Sequence, residues 1–531
     1  MASLHKTLFV LLLIGSSIEC LKILVISPQM GKSHVNFMGR SSDILVMAGH
    51  NVTYLSVPVD PKIESTGTKL AHVVKIPESP VVSEIAMKFH DQANSLWVHN
   101  GGNPLAFLSK IKIFTDVNVA SCKNVVDNDE FTRLMREEKF DIGITESFDL
   151  CAFGALKMYN VPVTVSILSG GIMSSHYRYY GLTYPVAQLP EALANSLEMN
   201  FFGRMKNILT HYVMGWFTGG PLAQQQELFD NKFGKDVINI VQEVRESAFH
   251  LSNEDPYFGI AHPLLHKIVE IGGFSVLPAK KLEAKWDAIL NKNKINVLVS
   301  FGSNAKSVDM PADIKNAFLA TFKKMSHVTF IWKYENPEDG TAKDLDNVVL
   351  SPWLDQTAIL NDPRVSAFIT HGGLNSVTES AIYGTKLLVI GLFADQFRNS
   401  LLAEKSKFGI VFLKEDASDA SKLTRAVEKL IEEDSEISRG AKRISEMIKN
   451  RPQNQTDVYV KHIEFAAKFG KLPNLNMQGH DMPLYQYILL DVIAFVVAVL
   501  AIILGSIGFI IFKIYKKCAG KKEVLITKKN N

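Results

Sequence analysis

The residues best equipped for chemistry lie between Trp353 and Gln396, which read W-L-D-Q, then F-I-T-H-G-G-L-N-S-V-T-E-S, then G-L-F-A-D-Q. They set an aromatic ring, a Gly-Gly pair and several polar anchors around one strand-to-helix turn. Val365 to Thr370 is β-branched and alternates like a buried strand, while Ser376 to Tyr383 carries helix formers ahead of Gly384. His371, Gly372 and Gly373 therefore stand at the handover. Unpaired backbone N–H groups and the positive end of the helix dipole make such a point a phosphate site. The glycines let a diphosphate approach the backbone. Asn375 falls in the first helical turn, and Glu379, one turn later on the same face, is placed to hold a ribose diol. Trp353, at the end of a separate strand, offers a flat face for a base. Asp395 and Gln396, past the next strand, offer grips for sugar hydroxyls.

This arrangement resembles the signature of the UDP-glycosyltransferases, and the surrounding sequence is most similar to the animal UDP-glucuronosyltransferase branch. The resemblance runs from about residue 21 to 515 and is closest in 350–400 and at Leu490-Asp491-Val492-Ile493-Ala494-Phe495. It implies that Trp353 and Gln356 hold uracil and Glu379 the ribose. It places His371, Gly373, Asn375 and Ser376 on the diphosphate, and Asp395 and Gln396 on the donor sugar. Ser303, closing an S-F-G-S turn, is either a further phosphate contact or a plain turn serine. The chain departs from the pattern in places. Lys386 and Gly391 stand where the motif normally has prolines, and Ser252 aligns with an arginine of mammalian members that is a candidate partner for a glucuronate carboxylate.

Glycosyl transfer needs a base for the acceptor hydroxyl and stabilisation of the departing diphosphate. The turn at His371 to Ser376 meets the second need. For the first, His34 lies at the carboxyl end of the opening strand and the head of the next helix, in Ser27-Pro28-Gln29-Met30-Gly31-Lys32-Ser33-His34. Imidazole titrates near neutrality, and the matching family position is the catalytic base. A carboxylate normally orients such a base. Glu146, ending Phe140-Asp141-Ile142-Gly143-Ile144-Thr145, supplies one where the animal relatives usually carry Asp, with Asp149 as a fallback. Gly31-Lys32-Ser33 mimics the end of a P-loop, but Ile26 stands where that motif needs Gly. Asp127-Asn128-Asp129 and Asp344-Leu345-Asp346 match the D-x-D of metal-dependent transferases but lie in polar turns, and the helix terminus already serves the diphosphate. No cofactor or metal is expected.

Two α/β units must position these groups. In the first half, strands at Leu21–Ser27, Asn51–Val57, Phe140–Thr145 and Val161–Ile167 alternate with helical stretches such as Val35–Met47. A second unit begins at Ile295 and continues through Val328–Lys333, Val348–Ser351, Val365–Thr370 and Lys386–Gly391. Residues 85–120 and 170–235, with Gly-Gly breaks near 101 and 219, read as irregular cover over an acceptor pocket. Charged residues at helical spacing from Lys422 to about Phe469 read as helices packing back onto the first domain. The expected fold is α/β, with two Rossmann-like domains facing a cleft in the GT-B manner. An acceptor domain covers 21–280 and a UDP-sugar domain 281–470, with a linker at 471–487. Donor and acceptor would meet beyond the carboxyl ends of the strands.

The ends point to a membrane. Residues 1–20 have the weakly basic start, short apolar run and small residues of a signal peptide. Residues 488–512 are long enough to span a bilayer, and Lys513, Lys516, Lys517, Lys521 and Lys522 follow, so 513–531 are expected in the cytosol. Lys528 and Lys529 form a dilysine ending that resembles an endoplasmic-reticulum retrieval signal. Of four cysteines, Cys122 and Cys151 would lie in an oxidising lumen, either paired or as buried thiols. Asn51 and Asn454 begin glycosylation sequons. A length of 531 residues suggests two domains, and a formal charge of +3 gives no reason to invoke nucleic acid.

The expectation is thus an inverting transferase of the endoplasmic-reticulum membrane. It would move a sugar, glucuronic acid first and glucose as the alternative, from a UDP donor to a small lipophilic acceptor in conjugation or detoxification. Membrane lipid is an expected partner, and association with itself or related transferases stays open. The rival from another class is a non-catalytic luminal binding or chaperone subunit. Retention of His34, Asp395 and Gln396 argues against it, since a pure binder needs no base.

Overall fold

The computed structural model describes residues 20–92, 97, 104–191, 194, 196–276, 278–479 and 482–527. Residues 1–19, nearly all of the expected signal peptide, and the Lys528-Lys529 ending lie outside the described residues. The chain divides into two units, one up to Asn476 and one from Met477.

The first unit holds two parallel sheets. In the first sheet, β1 (Lys22–Gln29), β2 (Asn51–Pro58), β3 (His72–Lys75), β4 (Ile142–Glu146), β5 (Thr164–Leu168), β6 (His250–Ser252) and β7 (Ile268–Glu270) lie in the order 3-2-1-4-5-6-7. In the second, β8 (Ile295–Ser300), β9 (Val328–Lys333), β10 (Val348–Ser351), β11 (Val365–Thr370), β12 (Lys386–Val389) and β13 (Gly409–Val411) lie in the order 10-9-8-11-12-13. Strands buried on both faces must be apolar throughout, and this is why they were readable as runs. Ile23 to Ile26 and Val297 to Val299 are almost wholly inaccessible. Each sheet reverses its order once, between β1 and β4 and between β8 and β11, and ligands of doubly wound sheets bind at such switch points. His34 follows β1 and Glu146 ends β4; Ser303 and His371 follow β8 and β11.

Two expectations need correction. The stretches read as irregular are largely helical: Pro104–Val126 and Phe201–Phe233 are helices of 23 and 33 residues. Gly219-Gly220-Pro221 lies inside the second helix instead of ending it. Proline costs a helix one hydrogen bond, but Leu222, Leu228 and fully buried Phe229 pack on the first core and hold the helix through that point. The break at Gly101 to Asn103 falls outside the described residues. Secondly, only the last C-terminal helix reaches the first domain. Leu423, Val427 and Leu430 of Ala420–Ile431, and Ala441, Ile444 and Ile448 of Glu436–Lys449, pack on the second sheet. Tyr459, Ile463 and Ala466 of Gln455–Phe469 pack with Ile23, Val25 and Val165 of the first. Spacing shows that a helix has a buried face but not which sheet receives it.

Cys122 and Cys151 form a disulfide with their Cα atoms 5.8 Å apart, joining the long Pro104–Val126 helix to Cys151–Met158. In the second unit, Leu490–Thr527 is one helix, and its Leu490–Cys518 portion, whose most apolar 18 residues have a mean hydropathy of 3.0, is long and apolar enough to cross a membrane.

Candidate active site

At the first switch point, β1 runs into the helix Lys32–Met47, whose third residue is His34. Its ring folds back over Gly31, where an added Cβ would sit 3.0 Å from the imidazole Cδ2. Glu146 ends the neighbouring strand, and His34 Nδ1 lies 2.9 and 3.0 Å from its two carboxylate oxygens. The Glu146 side chain, longer than the Asp that the resemblance led one to expect, thus reaches the ring. Burial pulls the His34 pKa down, but the charge and hydrogen bond of Glu146, helped by the charge of Asp395, leave it above the usual imidazole value. Burial pushes Glu146 up, and the charge of His34 with hydrogen bonds from His34 and Ser169 override this and hold it low. The fallback Asp149 is engaged elsewhere, accepting from Gln225 Nε2 at 2.8 Å and the Cys151 amide at 3.3 Å.

At the second switch point, β11 ends at Thr370 and a helix starts at Leu374, two residues earlier than expected. Asn375 and Ser376 therefore both lie in its first turn, and no side chain caps the helix. The His371 ring is wedged between two glycines. A Cβ on Gly302 would meet its Cε1 at 2.7 Å, and one on Gly373 its Nε2 at 2.9 Å. Burial and the neighbouring Lys333 charge push the His371 pKa down to about 4, so near neutrality it can donate one hydrogen bond but carries no charge. Lys333, at the end of β9, donates to Gly302 O at 2.8 Å and pairs with Glu335, which puts a cation beside this turn. Ser303 is exposed in the turn that follows β8.

The residues expected on the base and ribose lie close together, and two of them bond to each other. Trp353 is 68% exposed after β10, and Lys32 of the first domain stands 5.9 Å from its ring centre. Gln356 and Glu379, assigned by resemblance to uracil and ribose, are joined by a 2.6 Å hydrogen bond, with Ser376 Oγ 3.3 Å from the same amide. Burial raises the Glu379 pKa, opposed by the Gln356 bond and the charge of Arg40.

Asp395 and Gln396 open the helix Gln396–Lys405. Gln396 Oε1 accepts the Leu392 and Phe393 amides at 3.0 and 3.1 Å, so its carbonyl end braces the preceding turn. Asn399 bridges Asp395 (2.8 Å) to Gly372 O (3.0 Å), tying the start of this helix to the glycine turn after β11. Three residues past Asp395, Arg398 crosses to the first domain and pairs with buried Glu254 at 2.9 Å. That charge is a chief reason the Glu254 pKa, which burial would raise, falls to about 2. Ser252 is buried and points its hydroxyl at the same carboxylate, 3.3 Å away. The D-x-D aspartates of the first domain are engaged in surface pairs, Asp127 with Lys123 and Asp129 with Lys232.

All twelve sequence candidates therefore gather at the carboxyl edges of the two sheets. Sequence reading missed Ser169, Lys333, Asn399 and the Arg398–Glu254 pair. Only Asn399 and Arg398 carried a signal, their spacing of one helical turn from Asp395 and Gln396.

Comparison with known proteins agrees with this architecture. Solved structures sharing the fold include the glycotransferase of kitacinnamycin (TM-score 0.57, 14% identity, 84% of this chain and 100% of that one). LpCGTa, solved in complex with UDP, is similar at TM-score 0.52, with 15% identity over 85% of this chain and 99% of that one. Among sequences, ugt-47 of Caenorhabditis briggsae is 28% identical over 540 residues, 97% of each chain. Human UDP-glucuronosyltransferase 1A8 is 26% identical over 535 residues, 96% of this chain and 95% of its own. The family model described as UDP-glucoronosyl and UDP-glucosyl transferase matches residues 21–525. With two Rossmann-like sheets, glycine turns at Gly302 and Gly372-Gly373 and an apolar anchor helix, the chain belongs to that family and is a membrane-anchored glycosyltransferase using a UDP-sugar donor.

Proposed function

We propose that the chain transfers glucuronic acid from UDP-glucuronate to a hydroxyl of a small lipophilic acceptor, with inversion and without a metal, in conjugation or detoxification. The observation that carries this reading is the His34–Glu146 pair, with Asp395 of the donor domain near enough for its charge to act on the imidazole. His34 Nε2 takes the acceptor proton as the acceptor oxygen attacks the anomeric carbon. The bond from that carbon to the diphosphate breaks on the opposite face, so an α-linked donor yields a β-glycoside. The electrons leave on the diphosphate oxygen, where the first-turn amides after Gly373 and a hydrogen bond from neutral His371 stabilise them. Trp353 stacks the uracil, Gln356 and Glu379 hold the nucleoside, Asn375, Ser376 and Ser303 line the phosphates, and Asp395 and Gln396 orient the sugar.

A lipophilic acceptor fits the character of the first domain. Phe201, Phe202, Met205, Leu209, Tyr212 and Trp216 are all more than half exposed along one side of the Phe201–Phe233 helix. Such a face, flanked by Arg204 and Lys206, favours a membrane surface. The proposed setting is the endoplasmic-reticulum membrane with the bulk luminal and the lysine-rich tail cytosolic. Exposed Asn51 and Asn454 are the proposed glycan sites. A second reading, glucose as the donor sugar, is favoured by one observation. Arg398 is already paired with Glu254, and Ser252 offers no charge to a sugar carboxylate. Assaying UDP-glucuronate, UDP-glucose and UDP-N-acetylglucosamine with a mixture of phenols in microsomes decides between them.

A further inference from the structure

We infer that Ser169 is a positioning residue of the transfer reaction, one that locks the His34 imidazole in the tautomer with Nε2 bare. The inference rests on the reading of His34 as the base. Three oxygens surround Nδ1: the Glu146 carboxylate pair at 2.9 and 3.0 Å, and Ser169 Oγ at 3.0 Å. The Ser169 hydroxyl donates its own hydrogen to Glu146 Oε1, so it turns a lone pair towards Nδ1. With the carboxylate ionised, none of these groups has a hydrogen to give. Nδ1 must therefore carry one, and Nε2 is left to accept the acceptor's proton.

Ser169 also steadies Glu146, whose side chain is one methylene longer than that of an aspartate. The extra methylene adds a rotatable bond, and a loose carboxylate would orient the ring poorly. Ser169 grips the same oxygen twice, through its hydroxyl and through its backbone N–H at 3.0 Å. It is held in turn, since its carbonyl accepts Asn253 Nδ2 at 2.9 Å. The sheet register makes this reach available. Ile167 of β5 pairs with Glu146, the last residue of β4, so a side chain two residues further on leans over that strand end.

The test uses the full-length membrane-bound enzyme, whichever UDP-sugar the wild type turns over, and a mixture of phenol, cresol and naphthol. Rates are followed from about pH 5 to about pH 9, across the imidazole range. Ser169→Ala should lower kcat about ten-fold, the scale of one hydrogen bond to a charged group, with the donor KM unchanged. The acidic limb of kcat/KM should move to lower pH, because a loosely held carboxylate raises the imidazole pKa less. Ser169→Thr should restore both, and Ser169→Cys, a weak donor, should not. An acidic limb that stays in place in Ser169→Ala overturns the inference, whatever the rate. His34→Ala separates the two levels of the argument. If it is as active as wild type, the base assignment fails; if it is inactive while Ser169→Ala behaves as wild type, only the positioning role fails.

Discussion

Replacing Glu146 with Gln keeps the size of the side chain and removes its charge, and the structure sets what should follow. Burial acts on His34 in the direction opposite to Glu146, and only the carboxylate, with a smaller contribution from Asp395, keeps the imidazole pKa above its usual value. Without that anion burial prevails, so the acidic limb of kcat/KM should fall below the unperturbed imidazole value of about 6.5. The rate should fall at every pH. An amide can donate to Nδ1 as well as accept from it, so part of the population holds the wrong tautomer, and the remaining base is weaker. A loss of about 10²–10⁴-fold in kcat is expected, the range for an uncoupled general base. Stability should change with pH in a defined way. The raised pKa of His34 contributes stability that is complete below the unfolded imidazole value and disappears as pH rises through the folded one. The lowered pKa of Glu146 contributes stability that is complete above the unfolded carboxylate value and disappears as pH falls through the folded one. Both contributions coexist between the two unfolded values, so the Tm deficit of Glu146→Gln should be larger near pH 5.5 than near pH 8, a window bracketed by about 4.3 and about 6.5. The assays are initial rates over that range and thermal melts of the purified protein in detergent. A variant with kcat within about three-fold of wild type and an unmoved acidic limb would refute the coupling.

Three further outcomes follow from other parts of the molecule. Trp353→Ala should weaken UDP binding by roughly ten-fold or more, the worth of one base stack, measured by calorimetry; unchanged affinity would remove the exposed ring from the donor site. Gly302→Ala places a Cβ 2.7 Å from the His371 ring at a backbone φ of +79°, so the donor KM should rise while the melting profile shifts only modestly; an unchanged KM would mean that His371 does not contact the diphosphate. Cys122→Ser opens a disulfide that spans 29 residues, and the first unit should lose roughly 3–4 kcal/mol, visible as a lower Tm that reductant does not reduce further.

Much of the fold was readable because buried parallel strands leave little choice of residue. Val328–Lys333, Val348–Ser351 and Val365–Thr370 fall where the apolar runs placed them. The glycine turn at His371 was equally plain, since Gly372-Gly373 between an apolar run and helix formers marks a strand-to-helix handover, and a helix does follow directly. The long Phe201–Phe233 helix was hidden by Gly219-Gly220-Pro221, a local stop signal that is overruled by packing visible only in three dimensions. The finer wiring was hidden for a related reason. Ser169 lies 23 residues from Glu146 and 135 from His34, and its role comes from two adjacent strand ends rather than any motif. Likewise the pairing of Gln356 with Glu379 comes from two helices of the second domain packing side by side, and the Arg398–Glu254 bridge from two domains closing on each other.

If His34 takes the acceptor proton while the second domain holds the UDP-sugar, removing the imidazole should separate turnover from donor binding. The most direct measurement compares His34→Ala with wild type in the same membranes, reading both phenol glycosylation across the donor panel and UDP affinity. Turnover should fall by about 10²-fold or more with UDP affinity essentially unchanged. Turnover near the wild-type rate with the donor that the wild-type enzyme prefers would contradict it.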